Sequence, residues 1–244
     1  MPVKRASIKS YLIPIMILGA AALSYFYSGD VYAWYMRTYY EKLRGQSIEQ
    51  QLHTVQELYD NHEYKKLRDQ LTTLTMVYPE DRELKKLEGL TLIKLGEQRK
   101  GAELILSASE GGRMPEKLLE ATVNALFEEK MYRDILMVFK KNNPGGNPNL
   151  LFWYGASLCE TGGYARAVAY LKRALDRGRT DFETYHYVGM ALEKSGDPRS
   201  SLPYLEHARS LNVEDPDVGF SLANAYRKLG RYNDAAKIMR NIKR

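Results

Sequence analysis

Catalysis and metal binding need nucleophiles, bases or ligating side chains at workable spacings, and this sequence offers few. It has one cysteine, Cys159, and four histidines, His53, His62, His186 and His207. No histidine stands at a recognisable catalytic distance from Cys159, and none shares a metal-ligand spacing with cysteines or carboxylates. A lone cysteine in an apolar helical pattern reads as a small buried hydrophobe. It can form no intrachain disulfide, so it does not fix the compartment. Gly111 and Gly112 read as a helix stop, and no glycine-rich loop sits between a strand and a helix to cradle phosphate. The expectation is a chain that is not an enzyme and uses no cofactor or metal. The 244 residues carry a net charge of +6 and are 44% hydrophobic. That excess is modest, and no zinc spacing or aromatic-rich sheet motif accompanies it, which argues against nucleic acid as a partner. What remains is recognition through aromatic, amide and basic side chains, and these recur periodically.

The elements that must position them repeat. Tyr64, Gln98, Tyr132, Tyr164, Pro198 and Tyr232 each open a second helix, at steps of 34, 34, 32, 34 and 34. A fixed period of this length marks a solenoid whose units bury their apolar faces by stacking. In the unit NLLFWYGASLCETGGYARAVAYLKRALDRGRTD, Leu151, Gly155 and Leu158 share one face of the first helix. Ala167, Leu171 and Ala174 form the inner face of the second. The place of Leu158 is filled elsewhere by Leu58, Leu92, Leu126, Leu192 and Tyr226, and that of Leu171 by Leu71, Ile105, Phe139, Leu205 and Met239. The small site at Gly155 recurs as Gly89, Gly189 and Ala223, with Val55 and Val123 as exceptions. The fold class is therefore all-α, an α-solenoid of about six helix-turn-helix units at about 48–81, 82–115, 116–147, 148–181, 182–215 and 216–244.

At these residues the chain resembles the tetratricopeptide-repeat family. The unit length, the helix-A glycine, the helix-B alanines, the turns Gly162-Gly163-Tyr164 and Gly230-Arg231-Tyr232, and the terminal Pro79 carry the resemblance. It covers residues 48–244 and is clearest in the last three units. Earlier, Leu67 and Ile135 replace the small residue, and His62 and Lys130 replace the turn glycine. Such departures bear on the early packing angle more than on the fold class. The resemblance implies a concave groove lined by the first helices. Its contact residues would be Tyr59, Ile93, Asn124, Phe127, Phe152, His186, Met190, Phe220, Asn224 and Arg227, with Ala156, Cys159 and Glu193 on the same face. Amides can bond an extended backbone through donor and acceptor, and aromatics supply contact area. A protein partner entering as an extended peptide or a helix fits this surface. The family's chaperone-tail clamp is incomplete: Lys86 fits, but Leu90 stands where an asparagine is needed.

Two places interrupt the array. The segment Asn142-Asn143-Pro144-Gly145-Gly146-Asn147-Pro148-Asn149 is dense in turn signals where the step is two residues short. It reads as an irregular loop in a continuous solenoid, with a hinge between three-unit halves as the alternative. At the C-terminus, the seven Lys/Arg and two Asp/Glu from Pro216 onward read as a solvated cap.

Residues 10–29, from Ser10 to Gly29, are uncharged and predict a transmembrane helix, since twenty residues rise about 30 Å. Tyr25, Tyr27, Tyr32, Trp34 and Tyr35 would lie at the membrane interface. Residues 1–9, with Lys4, Arg5 and Lys9, would form a cytoplasmic N-terminus, and 30–47 a membrane-proximal helix. The repeats would then be periplasmic at a bacterial inner membrane. The expected function is a membrane-anchored scaffold or adaptor for a cell-envelope complex. Alternatives are a structural subunit held mainly by its membrane helix, or a secreted repeat protein cleaved near Val31-Tyr32-Ala33.

Overall fold

The computed structural model describes residues 37–38, 48–110, 112–212 and 214–242. From Ile48 onward the described residues form six helical hairpins. They are α1 (Ile48–Asp60) with α2 (Tyr64–Val77), α3 (Arg82–Lys94) with α4 (Gln98–Ser109), and α5 (Glu116–Glu128) with α6 (Tyr132–Val138). Then come α7 (Pro148–Glu160) with α8 (Tyr164–Asp176), α9 (Phe182–Lys194) with α10 (Pro198–Leu211), and α11 (Pro216–Lys228) with α12 (Tyr232–Ile242). The chain divides into two compact units, one up to Ala108 and one from Ser109.

Every hairpin turn is closed by the same two backbone bonds. The N–H of Glu63, Glu97, Met131, Gly163, Asp197 and Arg231 donates to the carbonyl of Leu58, Leu92, Leu126, Leu158, Leu192 and Tyr226, at 2.7–2.9 Å. These acceptors are the apolar column read from the sequence. The residue before each donor is left-handed: His62 (φ 61°), Gly96 (86°), Lys130 (57°), Gly162 (87°), Gly196 (99°) and Gly230 (74°). This arrangement is a Schellman motif, which satisfies carbonyls a helix end would leave orphaned. Sequence departures at His62 and Lys130 leave the turn geometry unchanged; the cost is a Cβ in the left-handed region, about 1 kcal/mol each.

The first helices start by a similar rule. Asp81, Asn147, Asp181 and Asp215 cap α3, α7, α9 and α11, each accepting from backbone N–H groups of the first turn. A side-chain cap of this kind is worth about 1 kcal/mol. Pro115 occupies the corresponding place before α5 and makes no side-chain cap.

Within a hairpin the second-helix column does the packing. Leu71, Ile105, Leu171 and Leu205 are fully buried and Phe139 is nearly so, while Met239 in α12 is half-buried. Two kinds of glycine contact let the helices close on this column. In α3 and α4, Gly89 meets Gly101, and a Cβ on Gly101 would fall 2.4 Å from the Gly89 carbonyl oxygen. In α7 and α9, Gly155 and Gly189 meet side chains, with Cβ positions 2.7 Å and 2.5 Å from Cγ of Leu171 and Leu205.

The Asn142–Asn149 segment lies inside the second compact unit, so the division of the chain falls elsewhere, at Ala108–Ser109. The short step has a plain cause: α6 has only seven residues. The loop that follows is anchored. Asn142 is buried, accepts the Met114 N–H at 2.8 Å and donates to the Val138 carbonyl at 2.9 Å. Arg173 donates to the Gly145 carbonyl at 2.9 Å.

Among the described residues no helix is long and apolar enough to cross a membrane. The uncharged run 10–29 and the aromatics Tyr25, Tyr27, Tyr32, Trp34 and Tyr35 lie outside the described residues. Of the segment 30–47, Arg37 and Thr38 are described and helical, and the Arg37 guanidinium lies 4.9 Å from the centre of the Tyr78 ring.

Candidate protein-binding face

The face presented by the first helices is held from behind by the turns. Each left-handed turn residue donates its N–H to a residue of this face: Tyr59, Ile93, Phe127, Cys159, Glu193 or Arg227, at 2.9–3.3 Å. The backbone under the face is thus fixed at one point in every hairpin.

In the first compact unit the face is sparse. Tyr59 is half-buried with its ring edge-on to Tyr64, the centroids 5.9 Å apart. Ile93 is half-buried and packs over Gly101 of its own hairpin.

In the second unit aromatic rings cross from helix to helix. Phe127 of α5 meets Phe152 of α7 at 5.6 Å, and Phe152 meets Tyr187 of α9 at 5.7 Å, both in edge-to-face geometry. Each such pair adds about 0.5–1.5 kcal/mol beyond area burial. Phe127 also meets Tyr132 at 5.7 Å. On α9, His186 bonds through Nε2 to the Ser221 hydroxyl of α11 at 3.3 Å. The row therefore runs over α5, α7, α9 and α11 without a gap.

The structure corrects one member of the sequence-derived set. Phe152 is 1% exposed, so it belongs to the core beneath the face and offers no contact surface. The Arg179 guanidinium lies 3.8 Å from its ring centre and accounts for part of this cover. Arg179 is itself held by Asn149 at 2.7 Å and Asp181 at 2.9 Å. Ala156 and Cys159 are buried as well. Asn124, Phe127, His186, Met190 and Asn224 are half-buried, while Phe220 and Arg227 are exposed. Phe220 keeps 45% of its surface, a large share for a phenylalanine.

Two residues of the face escape the sequence pattern, Tyr187 and Glu160, and Tyr132, which opens α6, joins them. The Tyr187 hydroxyl donates to the Glu160 carboxylate at 2.9 Å. Burial first, then the Glu160 charge, holds the Tyr187 hydroxyl well above the ordinary tyrosine range. Burial raises Tyr132 as well, with Glu160 adding to it and Tyr187 opposing. A periodic column through Phe152 passes through His186, so strict spacing selects the histidine and passes over the tyrosine beside it.

The reactive groups of the face are quiet. Burial, with Glu160 adding to it, pushes the Cys159 thiol up to about 12, so the thiolate needed for chemistry is absent at neutral pH. Burial lowers His186 against the upward pull of Asp215, Asp217 and Glu160, which keeps the imidazole neutral near pH 7. Among the described residues no group of three or more His, Cys, Asp or Glu side chains could hold a metal ion. Toward the C-terminal end of α9, Glu193 is 1% exposed and pairs with Lys228 of α11 at 2.7 Å.

Comparison with known proteins agrees with this geometry. The family model for the tetratricopeptide repeat matches residues 220–242. A search of curated protein sequences finds no relative. Among solved structures, the chain is similar to YrrB, described as a TPR protein with an unusual peptide-binding site, at 16% identity, over 70% of this chain and 90% of that one, with a TM-score of 0.53. It is similar to MamA of strain AMB-1 at 15% identity, over 66% of this chain and 96% of that one, with a TM-score of 0.54. A tetratricopeptide-repeat protein from Parabacteroides merdae matches at 15% identity, over 80% of this chain and 78% of that one, with a TM-score of 0.53. At such identities the likeness is one of fold.

Proposed function

We propose that the chain is a membrane-anchored tetratricopeptide-repeat adaptor that holds a protein partner on its first-helix face. The observation that carries the reading is the set of rings and polar groups that stay open over α5, α7, α9 and α11: Phe127, Tyr187 and Phe220 with Asn124, Glu160, His186 and Asn224. It combines aromatic area with amide, imidazole and carboxylate groups in the mix that recognises an extended peptide or helix. The peptide-binding site in the description of YrrB supports the same ligand class. Binding without catalysis fits a buried, protonated thiol and a neutral, half-buried imidazole.

The anchor is the uncharged run 10–29, with Lys4, Arg5 and Lys9 on its N-terminal side. This charge bias orients the N-terminus to the cytoplasm and the repeats to the periplasm of a bacterial inner membrane. A partner in a cell-envelope complex follows from that placement.

The test is photo-crosslinking in native membranes. A crosslinking amino acid at Met190 or Phe220 should give a discrete adduct. The same group at Met137 of α6, exposed on a second helix, should give none. Equal adducts from all three positions would refute the assigned face. Leu18→Arg with Ala21→Arg should release the chain from the membrane fraction, because two charges at the bilayer centre oppose insertion. Retention of that variant would remove the anchor.

A further inference from the structure

The second helices of the second unit carry a face of their own. α6, α8 and α10 are each packed between their own first helix and the next, and α12 lies against α11, while α5, α7, α9 and α11 pack on one another. The remaining side of each second helix points outward, away from the first-helix face. On that side basic residues recur with the repeat: Lys140 and Lys141 just after α6, Lys172 and Arg173 on α8, and Lys237 and Arg240 on α12. Five of them are exposed and Lys172 is half-buried.

Among the described residues none of the six lies within ion-pairing distance of a carboxylate, whereas Arg179, Lys228 and Arg231 of the same unit do. The contacts they make are neutral. Lys172 lies 5.7 Å from the centre of the Tyr204 ring and Arg173 lies 5.6 Å from that of Tyr170. Arg173 also donates to the Gly145 carbonyl at 2.9 Å, and Arg240 makes a long bond of 3.4 Å to the Ala236 carbonyl. Such contacts steady a side chain and leave its charge in place. The acidic residues at these helices are partly engaged: Asp197 accepts the Ser200 N–H at 3.1 Å, Glu206 accepts the Tyr226 hydroxyl at 2.7 Å, and Asp234 pairs with Arg231 at 2.7 Å, which leaves Asp134 and Asp176. The first unit does the opposite. On α2 and α4, Lys66, Arg68, Arg99 and Lys100 pair with Glu63, Asp69, Glu103 and Glu97. The uncancelled charge thus belongs to one unit and is no by-product of the repeat. A surface that needs only solubility mixes both signs, and a field of one sign attracts an opposite surface.

The layout of the charge selects the partner. The cations are spread over several helices and do not converge on one point. The same helices carry amphipathic and single apolar groups: Tyr170 and Tyr204 half-buried under their cations, Met137 at 62% exposure and Leu211 at 51%. A headgroup layer suits this set, with phosphates for dispersed cations and an interfacial edge for rings and lone apolar side chains. We propose that the second-helix face of the second unit docks on the anionic surface of the bilayer in which the run 10–29 is anchored, which turns the first-helix face of that unit away from lipid. The assignment rests on the anchor reading. An anchor holds the face near the surface at high effective concentration, so weak contacts add up. Each Lys or Arg at an anionic membrane strengthens binding roughly fivefold.

Fluorescence quenching on the full chain in nanodiscs tests it. One set of discs is phosphatidylcholine, the other contains about one-third phosphatidylglycerol, and both carry a trace of lipid with a nitroxide headgroup. A fluorophore is placed at Met137→Cys or, as the control, at Phe220→Cys; Cys159 stays unlabelled because it is buried and its thiol is pushed up to about 12. The label at position 137 should be quenched about twofold or more in the anionic discs over the neutral ones, and the label at 220 equally in both. High salt should abolish the difference, because it shortens the screening length. Lys172→Glu with Arg173→Glu should abolish it too. Lys140→Gln with Lys141→Gln, at exposed positions outside the helices, should do the same with an unchanged melting curve. Equal quenching at 137 in the two lipids, or a difference that survives the Lys140→Gln, Lys141→Gln variant, would overturn the proposal. Energy transfer between two labelled chains, without lipid quenching, would give the face to a second copy and also overturn it. The anchor reading fails separately, as a chain that co-elutes with neither disc. The face is then read by co-sedimentation with phosphatidylglycerol vesicles: salt-sensitive binding, weakened about tenfold or more by Lys140→Gln with Lys141→Gln, supports it, and its absence refutes it.

Discussion

The two compact units are built from the same hairpin and hold it together by different means. In the unit up to Ala108 many of the ion pairs stay within one helix turn with at least one partner exposed: Lys66 with Glu63, Lys86 with Glu83, Lys100 with Glu97 and Arg99 with Glu103. Exposed pairs of this kind contribute about 0–1 kcal/mol, so the unit depends on its apolar cluster around Leu67, Leu71 and Leu74 and on the contact of Gly89 with Gly101. From Ser109 onward the polar groups reach across hairpins. Asn142 holds Met114, Asn149 bridges Glu120 and Arg179, Tyr187 holds Glu160, and Lys228 holds Glu193. Links between neighbours set the orientation of one repeat on the next, as a binding face requires. The comparison teaches that the same period can build a helix stack or a positioned surface, and that the difference lies in side chains off the packing columns.

The comparison can be broken most forcefully at its glycines. Gly101→Ala drives a Cβ into the backbone of Gly89, which cannot repack, and should cost about 3 kcal/mol. Gly189→Ala meets the Leu205 side chain, which can shift, and should cost about 1–2 kcal/mol. Hydrogen exchange resolved by segment will show whether each loss stays in its own unit. Next in size is Asn142→Ala, which leaves the buried Met114 N–H without its acceptor, while the Val138 carbonyl keeps the Asn142 backbone N–H, and should cost about 1–3 kcal/mol in denaturant unfolding. Lys86→Ala in the first unit is its counterpart, with an expected change under about 0.5 kcal/mol. Equal effects of these two would erase the contrast.

His62→Gly and Lys130→Gly act alike in both units. Each removes a left-handed Cβ and should stabilise by up to about 1 kcal/mol, seen as a higher melting temperature. A loss of stability would mean that those side chains hold their turns. The smallest effect concerns pH. His186 titrates lower in the folded protein than its ordinary value near 6.5, so the unfolded chain takes up its proton first as pH falls. Its contribution to stability is complete above about pH 6.5 and is lost progressively below it. His186→Phe should flatten that part of the stability profile in the second unit. A steepened profile would reverse the assigned direction.

Much of this was legible in advance for a simple reason: a repeat reports its fold many times. The columns through Leu158 and Leu171 appear in the structure as the turn acceptors and the hairpin cores, and the Asp and Asn caps follow the same period. The binding face was less legible. Spacing selects residues by helix rotation, so it placed Phe152 on the surface; Arg179, Phe127 and Tyr187 then cover it, and no period within one helix records such contacts. Glu193 was on the same stripe, but nothing in the sequence marks it as buried and paired with Lys228.

The sequence by itself determined the helical hairpin, its recurrence in about six units, the glycine turns between its helices, and the uncharged run near its beginning. These depend on local sterics, backbone bonding and hydrophobic spacing, all of which act within a few residues. The tertiary structure alone decided that the Asn142–Asn149 loop is an anchored part of the second unit, and which side chains of the first-helix face remain open. Those outcomes depend on contacts between residues about 16 to 35 positions apart, where the neighbouring repeat decides whether a ring, an amide or a carboxylate is covered, paired or left exposed.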